Sequence, residues 1–222
     1  MTERKNEIRE LESFSSISMR GIGKLNISQG GKQSVSLEGD AIAISRITTT
    51  VNNGKLIIDV GRDWVEKISA GFDFLTTNDV VIEIIVKDLD ELEIAGAADV
   101  LVESLKTDDL NLKMIGASNV KVKELSANTL KSEIPGAGKL TVDGKVTDQV
   151  IVLTGAGNFS GHKLKSKTAK VSLTGVGSTQ LWVTGELDAT ITGVGSVEYY
   201  GNPRVKQSVT MLGKVTSLGD PT

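Results

Sequence analysis

Four residues of the 222-residue chain carry chemistry that their spacing could bring together: Asp143, His162, Trp182 and Tyr200. Each lies seven positions beyond a glycine that opens a recurrent short phrase, at Gly136, Gly155, Gly175 and Gly193. If the phrases stack at the strand spacing of about 4.8 Å, the four side chains form a line of about 15 Å. A carboxylate, an imidazole and two aromatic faces in a row suit an extended glycan, whose rings stack on the aromatics while polar groups fix its orientation. Glu103 and Lys123 extend the column into earlier repeats. The same residues also read as an ordinary outward sheet face, because single exposed aromatics are common.

Catalytic and metal chemistry find less support. Glycoside cleavage needs two carboxylates flanking a cleft, whereas Asp143 has Lys123 and His162 as its column neighbours. The residues three past each glycine, Asp99, Asn119, Lys139, Asn158, Ser178 and Ser196, form a polar ladder. Asp and Asn at such corners satisfy turn backbone more often than they hold calcium. The Gly-x-Gly phrases lack the strand-to-helix setting of a dinucleotide site. With no cysteine and one histidine, no catalytic residue, metal or cofactor is expected.

The element that must position the column is the repeat itself. The phrase reads GAADV at Gly96, GASNV at Gly116, GAGKL at Gly136, GAGNF at Gly155, GVGST at Gly175 and GVGSV at Gly193, at intervals of 20, 20, 19, 20 and 18 residues. A period near 20 marks a solenoid in which each unit is one turn. Two positions before each glycine stand Ile94, Met114, Ile134, Leu153, Leu173 and Ile191; four before stand Leu92, Leu112, Ser132, Ile151, Val171 and Ala189. Val100, Val120, Leu140, Phe159 and Val197 follow at plus four, with Thr179 as the exception. Val102, Val122, Val142, Leu181 and Tyr199 follow at plus six, with Gly161 as the exception. This alternation on both sides of a glycine corner predicts short strands with one buried face. The fold class is therefore all-β, a parallel β-helix with coils of about 20 residues.

The first 88 residues are less regular. They hold a related phrase at Gly21, an expected strand over 42–51, a hairpin across Asn52–Asn53–Gly54, and an excursion over 62–78 bearing Trp64, Phe72 and Phe74 that reads as a loop or a cap. A continuous apolar strand over 80–86 leads into the regular repeats at 89–218. The whole of 1–222 is expected to form a single domain.

Charge narrows the partners. A net charge of −3 with no basic run argues against nucleic acid. No apolar stretch approaches the roughly 20 residues that span a bilayer, so the chain is not expected to cross a membrane by a helix.

Laid out in this way, the chain resembles a bacterial family common in Bacteroidetes, the auto-transporter adhesin "head GIN" domain family. The resemblance rests on SFSSISMRGIGKLNISQG, the VNNGKLII hairpin, the repeated G-A/V-G-x-V phrases and the closing VEYYGNPRV. The second glycine of the phrase is replaced in GAADV and GASNV. The resemblance implies a right-handed parallel β-helix in an exported or lipid-anchored cell-envelope protein, and it brings no catalytic residues. The expected function is a non-enzymatic module that binds a glycan or another cell-surface component along a flat sheet face. A self-assembling scaffold, a homo-oligomer stacked through open coil ends, is the second reading, and a polysaccharide-processing enzyme the third. An extracytoplasmic location is expected, with a signal sequence upstream of this chain.

Overall fold

The computed structural model describes residues 4–60 and 80–221. The excursion expected over 62–78 lies outside them. The chain is a parallel β-helix whose coils each carry three strands. In the first regular coil these are separate: β7 (Glu91–Val102), β8 (Leu105–Lys106) and β9 (Asp109–Gly116). Later coils run nearly unbroken through β10 (Asn119–Ile134), β11 (Lys139–Leu153), β12 (Ala156–Leu173) and β13 (Val176–Ile191). The last turns are β14 (Val194–Tyr200), β15 (Arg204–Val209) and β16 (Leu212–Ser217). Register runs in parallel from coil to coil, Asn119 opposite Lys139, Lys139 opposite Asn158, and Ser178 opposite Ser196. Three parallel sheets result: a broad one after the glycine corner, a narrow one, and a third leading to the next corner.

The alternation read from the repeat is the physical basis of the interior. All six residues at minus two and all six at minus four are buried, including Ser132 in an otherwise apolar column. Thr179 is also fully buried, and its hydroxyl has no hydrogen-bond partner among the described residues. The buried side chains form one contiguous cluster along the coil axis. At the corners, backbones approach too closely for a side chain. A Cβ on Gly116 would lie 2.3 Å from the Gly96 carbonyl oxygen, and its φ of +111° is one that only glycine adopts easily. Where GASNV replaces the second glycine, the Ser118 hydroxyl donates to the Gly96 carbonyl at 3.0 Å and accepts from the Ala98 N–H at 3.3 Å.

The N-terminal end departs from chain order. β2 (Ser16–Gln29) does not begin the stack; it is enclosed in it. On one side residues 16–20 pair with β5 (Lys55–Asp59) and residues 24–29 with β6 (Val81–Val86). On the other side β2 pairs with β7. The outermost coil is therefore made of β5 and β6. Beyond that coil β3 (Ser34–Asp40) adds antiparallel to β6, and β1 (Arg4–Arg9) adds antiparallel to β3. Charged side chains line the outer strand, with ion pairs Arg4–Glu38 and Arg9–Glu7, a common protection of a free strand edge.

The hairpin across Asn52–Asn53–Gly54 forms as expected, joining β4 (Thr48–Asn52) to β5, with φ of 50° at Asn53 and 74° at Gly54. The strand expected over 42–51 is in its first half a helix, α1 (Ala41–Arg46). Asp40 caps it by accepting from the Ile42 and Ala43 N–H groups, each at 3.0 Å. Ala43, Ile44 and Ile47 are buried. That set fits one face of a helix, whereas alternation would bury Ile42 with Ile44, and Ile42 is 62% exposed.

Candidate functional site

The narrow sheet is where the sequence places its candidate ligand column, and its register decides which residues share a line. Ser126 of β10 lies opposite both Lys106 and Lys145; Lys145 lies opposite Lys165; Lys165 lies opposite Trp182; Trp182 lies opposite Tyr200. The observed ladder is thus Lys106–Ser126–Lys145–Lys165–Trp182–Tyr200. Trp182 and Tyr200 are neighbours in adjacent coils, as expected. His162 and Asp143 are not on their ladder. Pairing between β12 and β13 stops at Gly161–Leu181 and resumes at Lys165–Trp182, so residues 162–164 have no partner in β13. A similar shift between Thr141 and Gly144 moves Asp143 to the corner before the narrow sheet. Such bulges re-aim side chains, and here the bulge puts Lys165 in the place expected for His162.

Asp143 and His162 sit beside the narrow sheet, both partly exposed. The Ser160 hydroxyl pairs with His162 Nδ1 at 3.0 Å. One carboxylate oxygen of Asp143 is enclosed without a hydrogen-bond partner among the described residues. Lys165 lies over the Trp182 ring, its Nζ 5.4 Å from the ring centroid, within cation–π range.

Trp182 is held from the inside. The carbonyl of Trp182 accepts from the Ser166 hydroxyl at 3.1 Å, and that hydroxyl accepts from Gln149 Nε2 at 2.7 Å. The Thr184 hydroxyl donates to the Ser166 carbonyl at 2.9 Å. Gln149 and Ser166 are 1% and 2% exposed, polar groups in an aliphatic core. They lie where the bulge interrupts the backbone ladder, and side chains there supply hydrogen bonds that the ladder does not. Ser166→Ala would strand Gln149 Nε2 and the Trp182 carbonyl at once. It is expected to cost about 1–3 kcal/mol and lower the melting temperature by roughly 2–12 °C. A Gln149→Leu change added to it should recover part of that loss, as a calorimetric melt of the three variants would show.

A shallow depression of about 490 Å³ on the broad sheet spans four coils, floored by Val100 and Val120 and edged by Lys24, Lys121, Lys139 and Asp99. Sequence reasoning did not find it. Its signal was the polar ladder three past each glycine, read only as turn chemistry. Inter-coil bonds do occupy that ladder: Asn119 Nδ2 donates to Asp99 at 3.1 Å, and the Asn158 side chain accepts from the Ser178 hydroxyl at 2.8 Å. A second concavity, lined by Lys131 and Glu133 among others, bears on catalysis. The Lys131 ammonium hydrogen-bonds Glu133 and lowers its pKa below the usual carboxylate value. A glycosidase's general acid needs the opposite shift. Among the described residues no helix is long and apolar enough to cross a membrane.

Solved structures of similar shape come from Bacteroides and Parabacteroides species. A "putative adhesin" of Bacteroides fragilis superposes with a TM-score of 0.85 at 22% identity, covering 98% of this chain and 97% of that one. A "putative lipid binding protein" of Parabacteroides distasonis gives 0.73 at 19% identity, covering 97% and 96%. A "putative adhesin" of Parabacteroides merdae gives 0.64 at 18% identity, again covering 97% and 96%. At these identities the likeness establishes the fold. No significant match is found among curated protein sequences. The family model described as "Putative auto-transporter adhesin, head GIN domain" matches residues 13–203, and the chain belongs to that family.

Proposed function

We propose that the chain is a non-enzymatic, adhesin-like module of the cell envelope that holds an extended glycan along its narrow sheet. Trp182 and Tyr200 stack against sugar rings, while Asp143 and His162, at the adjoining corner, supply polar contacts. The observation that carries this reading is the pairing of Trp182 with Tyr200 in adjacent coils, two half-exposed aromatics on one outward ladder. Adjacent aromatic faces at strand spacing suit consecutive rings of an extended chain. The family description and the adhesin names of similar structures support a partner on a surface and a location outside the cytoplasm; periplasmic or outer-surface placement through a lipid anchor is part of the proposal.

A glycan array probed with the purified chain tests the reading. A Trp182→Ala, Tyr200→Ala double variant should weaken binding about 30-fold, the equivalent of losing roughly 2 kcal/mol at two contact residues. Its circular-dichroism spectrum should match the parent's. Failure of the parent chain to bind any glycan would sink the proposal.

A further inference from the structure

The narrow sheet differs in charge from the rest of the molecule. The chain carries a net charge of −3, and its broad and third sheets mix acids with bases on their outer faces. The strands of the narrow sheet, residues 105–106, 125–127, 144–146, 164–167, 182–184 and Tyr200, contain no Asp or Glu. They contain Lys106, Lys145, Lys165 and Lys167, all exposed, and the bulge adds exposed Lys163. None of these five takes part in the six ion pairs formed among the described residues, which engage Arg4, Lys5, Arg9, Lys55, Lys123 and Lys131. Carboxylates border the sheet at Glu103, Asp108, Glu124, Asp143, Asp148 and Glu186, Glu103 being paired with Lys123, but none stands on it.

We propose that the narrow sheet is a track for a polyanionic glycan, a chain of sugar rings bearing carboxylate or sulfate groups. The proposal rests on the glycan-binding reading above and names the ligand class of that site. Lys106 and Lys145 are two coils apart and Lys145 and Lys165 one coil apart, so charges recur about every 5–10 Å along the ladder. That spacing suits a polymer charged on every ring or every second ring. Nucleic acid is bound by strongly basic surfaces, which a chain of net negative charge does not present. The aromatic pair continues the ladder past Lys165, so a bound chain meets charge contacts over the lysines and ring stacking over Trp182 and Tyr200. Lys165, already over the Trp182 indole, joins the two halves.

Titration calorimetry on the intact chain tests this with polygalacturonate and chondroitin sulfate as anionic probes, dextran as the neutral one, oligothymidylate as the nucleic acid, and phosphatidylglycerol vesicles as the membrane. Expected is binding to an anionic glycan that weakens at least tenfold between 50 mM and 500 mM salt, on the order expected when a few lysine–anion contacts are screened. It should weaken at least 30-fold in a Lys145→Glu, Lys165→Glu variant. Lys113→Glu, on the third sheet, should leave binding unchanged and serves as the charge control, with melting curves confirming that all variants fold. Dextran binding as tightly as the anionic glycans would overturn this inference while leaving the glycan-binding function standing. Tighter binding of oligothymidylate or vesicles than of either anionic glycan would overturn it in favour of another polyanion. An absence of binding to every glycan would remove both.

Discussion

Truncating Phe159 to alanine should cost about 3–5 kcal/mol, the range for deleting a buried aromatic ring, and lower the melting temperature by roughly 6–20 °C. Phe159 is 1% exposed and heads the list of largest fully buried side chains. It stands in an inward column between Leu140 and Thr179. The two breaks in the apolar columns that follow the glycine corner, Thr179 and Gly161, both lie beside it. A Cβ on Gly161 would fall 2.6 Å from the Phe159 ring, so the ring fills space that Val142 and Leu181 take at the same position in neighbouring coils. The exceptions are thus one packing solution spread over three residues. That gives the prediction a second arm. Phe159→Leu and Gly161→Val should each destabilise, the first by leaving a void and the second by a clash. Combined, they should be less harmful than the sum of the two, because the valine occupies what the ring gives up. Additive losses in a calorimetric double-mutant cycle would refute this account of the core.

The same columns show what was legible from residue order alone. Alternation across a glycine corner located the four inward columns next to the corner, from Leu92 to Val197, because burial in a solenoid is a property of each coil and repeats with it; the inward residues farther from the corner, such as Leu105, Leu125, Val146, Leu164 and Val183, were not located. The hairpin at Asn53–Gly54 was legible because its turn chemistry is local. The position of β2 inside the stack was not. Ser16 pairs with Lys55 on one side and Glu91 on the other, and like coils offer compatible edges, so local pattern does not rank their order. Helix α1 was hidden because a short run of Ala and Ile carries no spacing that separates helix from strand; the helix buries Ala43 with Ile44 and exposes Ile42, which alternation would have buried.

The candidate site divides along the same line. Trp182 and Tyr200 were placed together correctly, since the pairs from Val176–Val194 to Trp182–Tyr200 keep one constant offset. His162 was displaced because the longer coil absorbs its extra length after Gly161, past the glycine used to align it. Counting from the corner misassigns every outward residue beyond such a bulge. For this reason Lys145 and Lys165, rather than Asp143 and His162, share the ladder with the aromatics. The charge segregation of the narrow sheet became visible only when register had sorted the lysines by face.

A methyl group at a glycine corner should be among the least tolerated changes in the molecule. A Cβ built on Gly175 would lie 1.8 Å from the Gly155 carbonyl oxygen and 3.0 Å from that of Thr154. Both obstacles are backbone, so no rotamer change relieves the contact. The Val176 N–H donates to the same Gly155 oxygen at 3.0 Å, so moving the coils apart lengthens the bonds that stack them. Gly175→Ala is expected to destabilise by about 3 kcal/mol, the upper end for overpacking, with a fall of roughly 6–12 °C in melting temperature. Gly31→Ala is the matched control. Nothing lies within 4 Å of a Cβ at Gly31, so its effect should stay within about 0.5 kcal/mol. Equal melting temperatures for the two variants would mean that the corners do not hold adjacent coils at the separation described, and the ladder that aligns Lys165, Trp182 and Tyr200 depends on that separation.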